Sequence, residues 1–336
     1  MRAIVLDRYG PPERVMRLAD LPDPVPGDGE VVVRVAAVSL NSWDVDLATG
    51  AALVRLEAPF RPKRRRRVIG SDVSGTVVAV GSGATRHRVG DAVFGELSAA
   101  GWGGFAERVA AREDAFVARP PGVDDLTAAA LPQAASMAWQ ALGGAEAVAP
   151  NGSLSGRRVL VVGAGGGVGT FAIQLAKRGG AHVTAVERAM WKLDALAGIG
   201  ADVVDAGIGD DAGSRHAFDL VLDVVGALPA PRSGELLAEG GRAAYIGGSP
   251  RRIAQVLVAG ARAGRQAEAG ADAGTARRIG LLAAVPNRDL PEIAALAEAG
   301  ELLAVIDGPH PLEQVPQQLA RLRSGAVLGK AVVGLG

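Results

Sequence analysis

The sequence predicts an α/β protein of two domains, one a doubly wound parallel sheet and the other β-rich and partly barrel-like. Three observations carry that prediction. The chain has 336 residues, enough for two cores at roughly 150 residues per domain. Its centre holds a strand, a glycine-rich turn, a helix and a second strand in succession. Its first 122 residues instead alternate short β-like runs with glycine and proline.

The central stretch, residues 157–187, reads RRVLVVGAGGGVGTFAIQLAKRGGAHVTAVE. Val159, Leu160, Val161 and Val162 form a continuous apolar run, as expected of a strand buried on both faces of a parallel sheet. Residues 163–169 are rich in glycine. Phe171, Ile173, Leu175 and Ala176 then recur at helical spacing, so the turn feeds a helix whose first amides face back toward it. A second strand over residues 182–186 ends in Glu187. This order is that of the mononucleotide-binding half of a doubly wound sheet, in which glycine lets the backbone approach a pyrophosphate and the helix N-terminus supplies a positive field. The GxGxxG pattern is met with Ala164 in the first place and Gly166 and Gly169 in the second and third. Glu187 follows Gly169 by 187 − 169 = 18 residues, close to the ~20 expected for an acid that meets the adenosine ribose. The candidate cofactor-binding residues here are Ala164, Gly165, Gly166, Gly167, Val168, Gly169 and Glu187.

The flanking segments fill in the rest. β-like runs at residues 2–6, 30–38, 73–80 and 92–95 are separated by Pro22, Pro24, Pro26 and several glycines, which forbid helix there. Residues 126–142 become alanine-rich and helical with an interruption at Pro132, marking the passage into the dinucleotide domain. Beyond Glu187, a helix is expected over residues 191–198, strands at 200–205, 218–225, 242–246 and 279–285, and a helix ending in glycine over 236–241. Residues 259–274 are low in complexity and receive no assignment. Helices over 290–299 and 312–322 and a strand over 329–333 complete the chain. The expected domains are residues 1–122, 123–287 and a return of 288–336 to the first domain.

Composition narrows the function. The formal net charge is zero and there is no cysteine, which excludes disulfides, thiolate-held zinc and a cysteine nucleophile. Overall charge gives no reason to expect nucleic acid or an anionic membrane as partner. No stretch resembles a signal peptide or a membrane span, and the expectation is a soluble cytoplasmic protein.

Several short pieces, in order, resemble the medium-chain dehydrogenase/reductase superfamily, and within it the zinc-free quinone oxidoreductase branch that includes zeta-crystallin. They are NSWD at residues 41–44, VIGSDVSG at 68–75, VGDAVFG at 89–95, GGFAE at 103–107, ALP at 130–132 with AWQAL at 138–142, the GAGGGVG turn, and GKAVV at 329–333. The resemblance implies a Rossmann domain beside a GroES-like catalytic domain, NAD(P)H as cofactor, a quinone or α,β-unsaturated carbonyl as substrate, and a homodimer.

In zinc-dependent relatives the segment matching Asn41 carries a cysteine ligand, and that matching Gly70-Ser71-Asp72 a histidine followed by glutamate. Here Asn41, Ser71 and Asp72 hold those places, and an amide and a hydroxyl are poor zinc ligands. No metal site is expected. Without a Lewis acid, reduction of an isolated ketone is difficult, whereas hydride addition to an enone or quinone spreads charge into an enolate or hydroquinone anion that hydrogen-bond donors can stabilise. Asn41 is the first candidate donor and Trp43 a candidate stacking surface. Asp44 reads as a cap rather than an acid. Phe60, Trp102 and Phe105 are candidate pocket walls. The two tyrosines, Tyr9 and Tyr245, leave no obvious proton donor, and water takes that role by default.

Cofactor choice rests on opposed features. Glu187 would repel a 2′-phosphate and favour NADH, whereas Arg188 and Lys192 would bind that phosphate if Glu187 turned away. Tyr245, Ile246 and Gly247 follow a strand where nicotinamide is expected to lie. The basic run from Arg61 to Arg67 (RPKRRRR) is read either as a solvated loop or as an anchor for an anionic or carrier-bound substrate of a specialised biosynthetic reductase or cyclisation enzyme. A third reading makes it the nucleic-acid patch of a non-catalytic NAD(P)H-sensing protein.

Overall fold

The computed structural model describes residues 1–57, 68–207, 216–268 and 276–335. Along the chain the strands are β1 (Arg2–Leu6), β2 (Met16–Asp20), β3 (Glu30–Ser39), β4 (Asp72–Val80), β5 (Ala92–Glu96), β6 (Arg108–Arg112) and β7 (Val117–Ala118). There follow β8 (Arg158–Val162), β9 (His182–Val186), β10 (Val203–Asp205), β11 (Phe218–Asp223), β12 (Leu237–Tyr245) and β13 (Arg278–Leu281). The last are β14 (Ile306–His310) and β15 (Lys330–Gly334). Two compact units result: Met1–Ser136 with Val285–Gly336, and Met137–Ala284. The first unit thus extends past residue 122 to include the helix Asp125–Ala130 and the start of the helix Pro132–Leu142.

In the first unit a seven-stranded sheet runs β14-β15-β3-β4-β5-β7, with β6 also paired to β3. Most pairings are antiparallel, as the alternation of short strands and glycine turns requires. Val31, Val33, Val35, Val73, Val93, Val109 and Phe116 supply its core. β15 pairs antiparallel with β3, placing Val332 opposite Ser39. Ser39 lies opposite Asp72, and Asp72 opposite Glu96. A row of polar positions therefore crosses an otherwise apolar sheet.

The second unit is a six-stranded, wholly parallel sheet of order β10-β9-β8-β11-β12-β13. That order reverses between β8 and β11, the switch point at which doubly wound sheets bind their ligands beyond the strands' carboxyl ends. The core strands carry Leu160, Val162, Val221 and Ala243 at or near full burial.

Two expectations change, and an unassigned stretch gains a helix. The helix expected to run to Gly241 ends at Leu236, and Leu237 already opens β12. A register shift against β11 follows, with Gly240 at φ 69°. A side chain at Gly241 would approach the carbonyls of Ala238, Phe218 and Asp219 within 3.0–3.2 Å, so the glycine pair serves a strand irregularity and not a helix cap. The unassigned stretch from residue 259 falls within the helix Pro250–Glu268, its remainder lying outside the described residues. The last strand of the sheet is shorter than expected, ending at Leu281.

Candidate cofactor turn and buried polar site

In the second unit the turn after β8 is built as its glycines demand. Gly163 has φ 78°, and its amide and that of Ala164 donate to Val186 O on β9. Gly166 precedes the helix Gly167–Arg178. A Cβ at Gly169 would lie 2.4 Å from Ala164 O and 2.6 Å from its main-chain carbons, so the third glycine is what lets helix and turn approach. The first helical amides have no intrahelical acceptor and form an anion-binding end. These features fit a dinucleotide pyrophosphate.

Glu187 Oε2 accepts the Gly165 amide at 3.0 Å and Oε1 that of Ala189 at 3.0 Å. The carboxylate is therefore tied to the turn. Lys192 is buried beside it, 3% exposed. Burial lowers the pKa of its ammonium, against the pull of Glu187. Its Nζ lies 5.3 Å from the exposed Trp191 ring, and Arg188 is exposed. Across the switch point, the buried Asp223 carboxylate accepts the amides of Val225, Ala227 and Leu228 at 2.8–3.2 Å, which shapes the loop after β11. Gly226 packs against Gly248 so closely that a side chain would meet Gly248 Cα at 2.5 Å. Ile246 and Gly247, half-buried, lie in that same loop region.

Tyr245, expected beside the nicotinamide, faces the sheet edge with its backbone alone. Its side chain is fully buried, with the hydroxyl 2.6 Å from Ser233 Oγ and 3.1 Å from Leu228 O. Strand alternation turns it into the core, leaving only its backbone at the sheet edge. Phe105 is likewise fully buried in the first unit's core, and Trp102 is 5% exposed. Phe60 and residues 61–67 lie outside the described residues.

The first unit carries a buried polar cluster. Asn41 caps the helix Ser42–Thr49; its amide donates to Asp44 Oδ2 at 2.9 Å, and Asp44 N donates to Asn41 O. The Asn41 side chain, within a capping box with Asp44, also meets other partners. Its Nδ2 donates to Ser71 Oγ at 3.2 Å, and its Oδ1 accepts from Lys330 Nζ. Ser71 Oγ donates to Asp72 Oδ1 at 3.0 Å. Asp72 Oδ2 accepts from Lys330 Nζ at 3.3 Å, the Gln133 amide at 3.2 Å and Ser39 Oγ at 3.4 Å. Glu96, on the neighbouring strand, accepts from Ser98 N. Trp43 is half-buried against the core.

Asp44, Asp72, Glu96, Lys330 and Asn41 are all 6% exposed or less. Asp44 is the cap partner that the sequence suggests, and it is fully buried. Desolvation, then the Asp72 charge, pushes its carboxyl up to about 7, although the Asn41 amide and Lys330 oppose the rise. Glu96 is likewise pushed up to about 7 by burial and by Asp72. The cluster holds three carboxyls around one ammonium. Sequence reasoning named Asn41 but gave no role to Glu96 or Lys330. The available signal was a lysine opening the otherwise apolar strand KAVVG.

A parallel sheet with a glycine turn and an anchored acid, in a chain whose other unit buries a polar catalytic-type cluster in a β-rich fold, defines a dinucleotide-dependent oxidoreductase. The chain belongs to the medium-chain dehydrogenase/reductase superfamily, among its quinone-oxidoreductase-like members. Residues 27–121 match the family described as alcohol dehydrogenase GroES-like domain, and residues 199–333 that described as zinc-binding dehydrogenase. The chain is 31% identical to the chloroplastic quinone-oxidoreductase QR1 of Triphysaria versicolor, over 99% of this chain and 98% of that protein. It is 30% identical to the mitochondrial NAD(P)H oxidoreductase RTN4IP1 of Mus musculus, over 100% of this chain and 89% of that protein. Among solved structures, the quinone oxidoreductase from Coxiella burnetii superposes with a TM-score of 0.82 at 27% identity, covering 100% of this chain and 99% of the other.

The second family description names zinc, and the residues present decide whether that ion fits. An amide oxygen, a hydroxyl and one carboxylate stand at residues 41, 71 and 72, and the Lys330 ammonium already bonds the first and the last. Among the described residues no three His, Cys, Asp or Glu side chains are placed to share a metal. The donor set does not fit zinc.

Proposed function

We propose that the protein is a zinc-independent, NADH-preferring reductase of quinones or α,β-unsaturated carbonyls. The observation that carries the reading is the Asn41 amide. Its oxygen is held by Lys330 and one N–H by Ser71, leaving the second N–H as a donor without a partner among the described residues. Bound NADH supplies a hydride. Asn41 Nδ2 then donates to the substrate oxygen on which negative charge develops, and a delocalised enolate or hydroquinone anion asks no more of the protein than a few such donors. Trp43 offers a flat apolar surface to a planar substrate. The names of the relatives, which include a plant 2-methylene-furan-3-one reductase at 28% identity, support the same substrate class.

The anchoring of Glu187 by two backbone amides supports NADH, because a 2′-phosphate would meet a carboxylate that is held in place. A homodimer follows from the family resemblance. Among the described residues no helix is long and apolar enough to cross a membrane. We keep the cytoplasm as the proposed compartment, although relatives from plants and animals are named as chloroplastic or mitochondrial. The test is a screen of NADH and NADPH oxidation against quinones, enones and enoyl thioesters, with metal analysis of the same protein. Turnover of a simple quinone with substoichiometric zinc supports the reading. Stoichiometric zinc, or no turnover with any acceptor, overturns it.

A further inference from the structure

The hydrogen-bond directions of the buried cluster form a single ordered chain. Lys330 Nζ can only donate, so the Asn41 atom that faces it must be the oxygen. Asp72 accepts from Ser71, Ser39, Gln133 and Lys330, so the Ser71 hydrogen is committed to it, and Ser71 Oγ has only a lone pair to offer Asn41. Both ends of the amide are thereby assigned from outside, and the cascade leaves one free N–H on Nδ2. An asparagine without these neighbours could rotate by half a turn and present its carbonyl instead, which would repel a developing oxyanion.

The location of Lys330 makes the arrangement costly to keep without a purpose. It opens β15, is 3% exposed, and is followed by Ala331, Val332 and Val333 at zero exposure. Its own amide is fixed by Val305 O at 2.8 Å. A buried ammonium carries a large desolvation cost even when paired. The charged and titratable groups that face it are Asp72, which it bonds, and Asp44 and Glu96, on both of which its charge acts.

We propose that Lys330 is the positioning residue of this site: its ammonium locks the Asn41 amide with its oxygen toward Lys330 and one N–H left unbonded. The claim rests on the reductase reading for its kinetic consequence, but the lock itself is a property of the resting protein and can be measured without turnover.

The test uses Lys330→Met and the neutral pair Lys330→Met with Asp72→Asn, the second avoiding a buried unpaired carboxylate if the first fails to fold. The protein contains three asparagines, Asn41, Asn151 and Asn287, so labelling with ¹⁵N-asparagine gives three side-chain amide pairs. In the wild type one pair is expected to exchange slowly with solvent and to disappear in Asn41→Ala. In the lysine variants that pair is expected to shift and exchange faster, while the Asn151 and Asn287 pairs stay in place. With a simple quinone at saturating NADH, kcat is expected to fall roughly a hundredfold, the scale of losing one oxyanion donor, with NADH affinity by fluorescence unchanged. Adding Asn41→Ala to either lysine variant is expected to cost little more, because both act through one donor. Unchanged Asn41 resonances in the folded neutral pair, or its kcat within twofold of the wild type, would overturn the proposal. A wild type that reduces no acceptor overturns the reductase reading alone, since the amide resonances still report the lock.

Discussion

Glu187 Oε2 accepts the main-chain amide of Gly165 at 3.0 Å across 22 residues of sequence. The acid at the end of β9 is thereby a fixed wall of the turn at the end of β8. Any group that adds negative charge to the ribose side meets it at short range. The expected outcome is a kcat/KM for NADH exceeding that for NADPH by roughly ten- to a hundredfold, the scale of a like-charge clash. Glu187→Ser removes the clash and leaves Lys192 and Arg188 nearby. It is expected to narrow or invert the preference, as steady-state kinetics with both cofactors will show.

The Gly169 position tolerates no side chain, since a Cβ there would overlap the Ala164 backbone at 2.4–2.6 Å. Gly169→Ala is expected to lower stability by about 1–3 kcal/mol through overpacking and to weaken NADH binding. Thermal unfolding and fluorescence titration measure the two effects.

Asn41→Ala is expected to reduce kcat/KM for a quinone on the order of a hundredfold. NADH affinity should be little changed, because the cofactor turn lies in the other unit. Stopped-flow measurement of the reductive step in the variant would check this, and an unchanged rate would remove Asn41 from the site.

Asp44 and Glu96 give stability an unusual pH dependence. Their carboxyls titrate near 7 in the folded state and near 4 when unfolded, so between those values the folded chain binds more protons. Stability is then greatest below the unfolded pKa and is lost as pH rises through about 7. The melting temperature is expected to fall between pH 5 and pH 8. Asp202 and Asp307, whose carboxyls are held below the usual range by Lys177 and Arg321, act only at more acidic pH. Glu96→Gln should flatten the slope by removing one of the two protons, and Asp44→Asn the other.

Tyr245→Phe deletes a hydroxyl bonded to Ser233 and Leu228. The expected loss is about 1–3 kcal/mol of stability, with kinetic constants for both cofactors unchanged. A changed cofactor KM would return Tyr245 to the site.

The parts of this protein that could be read from the sequence are those whose cause is local. The turn at residues 163–169 and the acid after β9 declare themselves because strand, glycine and helix are contiguous, and Asn41 stands out through the NSWD piece that resembles the family. The partners of Asn41 were not legible. Lys330 meets it across 289 residues of chain, and Glu96 joins the row only because β4 and β5 pair in one register. The inward ring of Tyr245 was not legible because a strand end marks the ligand edge of the sheet, while alternation along β12, which decides where the ring points, depends on a bulge near Gly240 that no pattern announces.

The return of β15 to pair with β3 has an effect on how the protein is made. Ribosomes release chain from the N-terminus, so every strand of the parallel sheet emerges before Lys330 does. The nucleotide-binding unit can complete its fold while the other still lacks the strand that carries its only buried ammonium among the described residues. Until that strand docks, Asp72 has no countercharge, and the first unit waits as an open sheet edge at β3. The order of synthesis thus lets the glycine-turn unit form before the buried polar cluster is assembled.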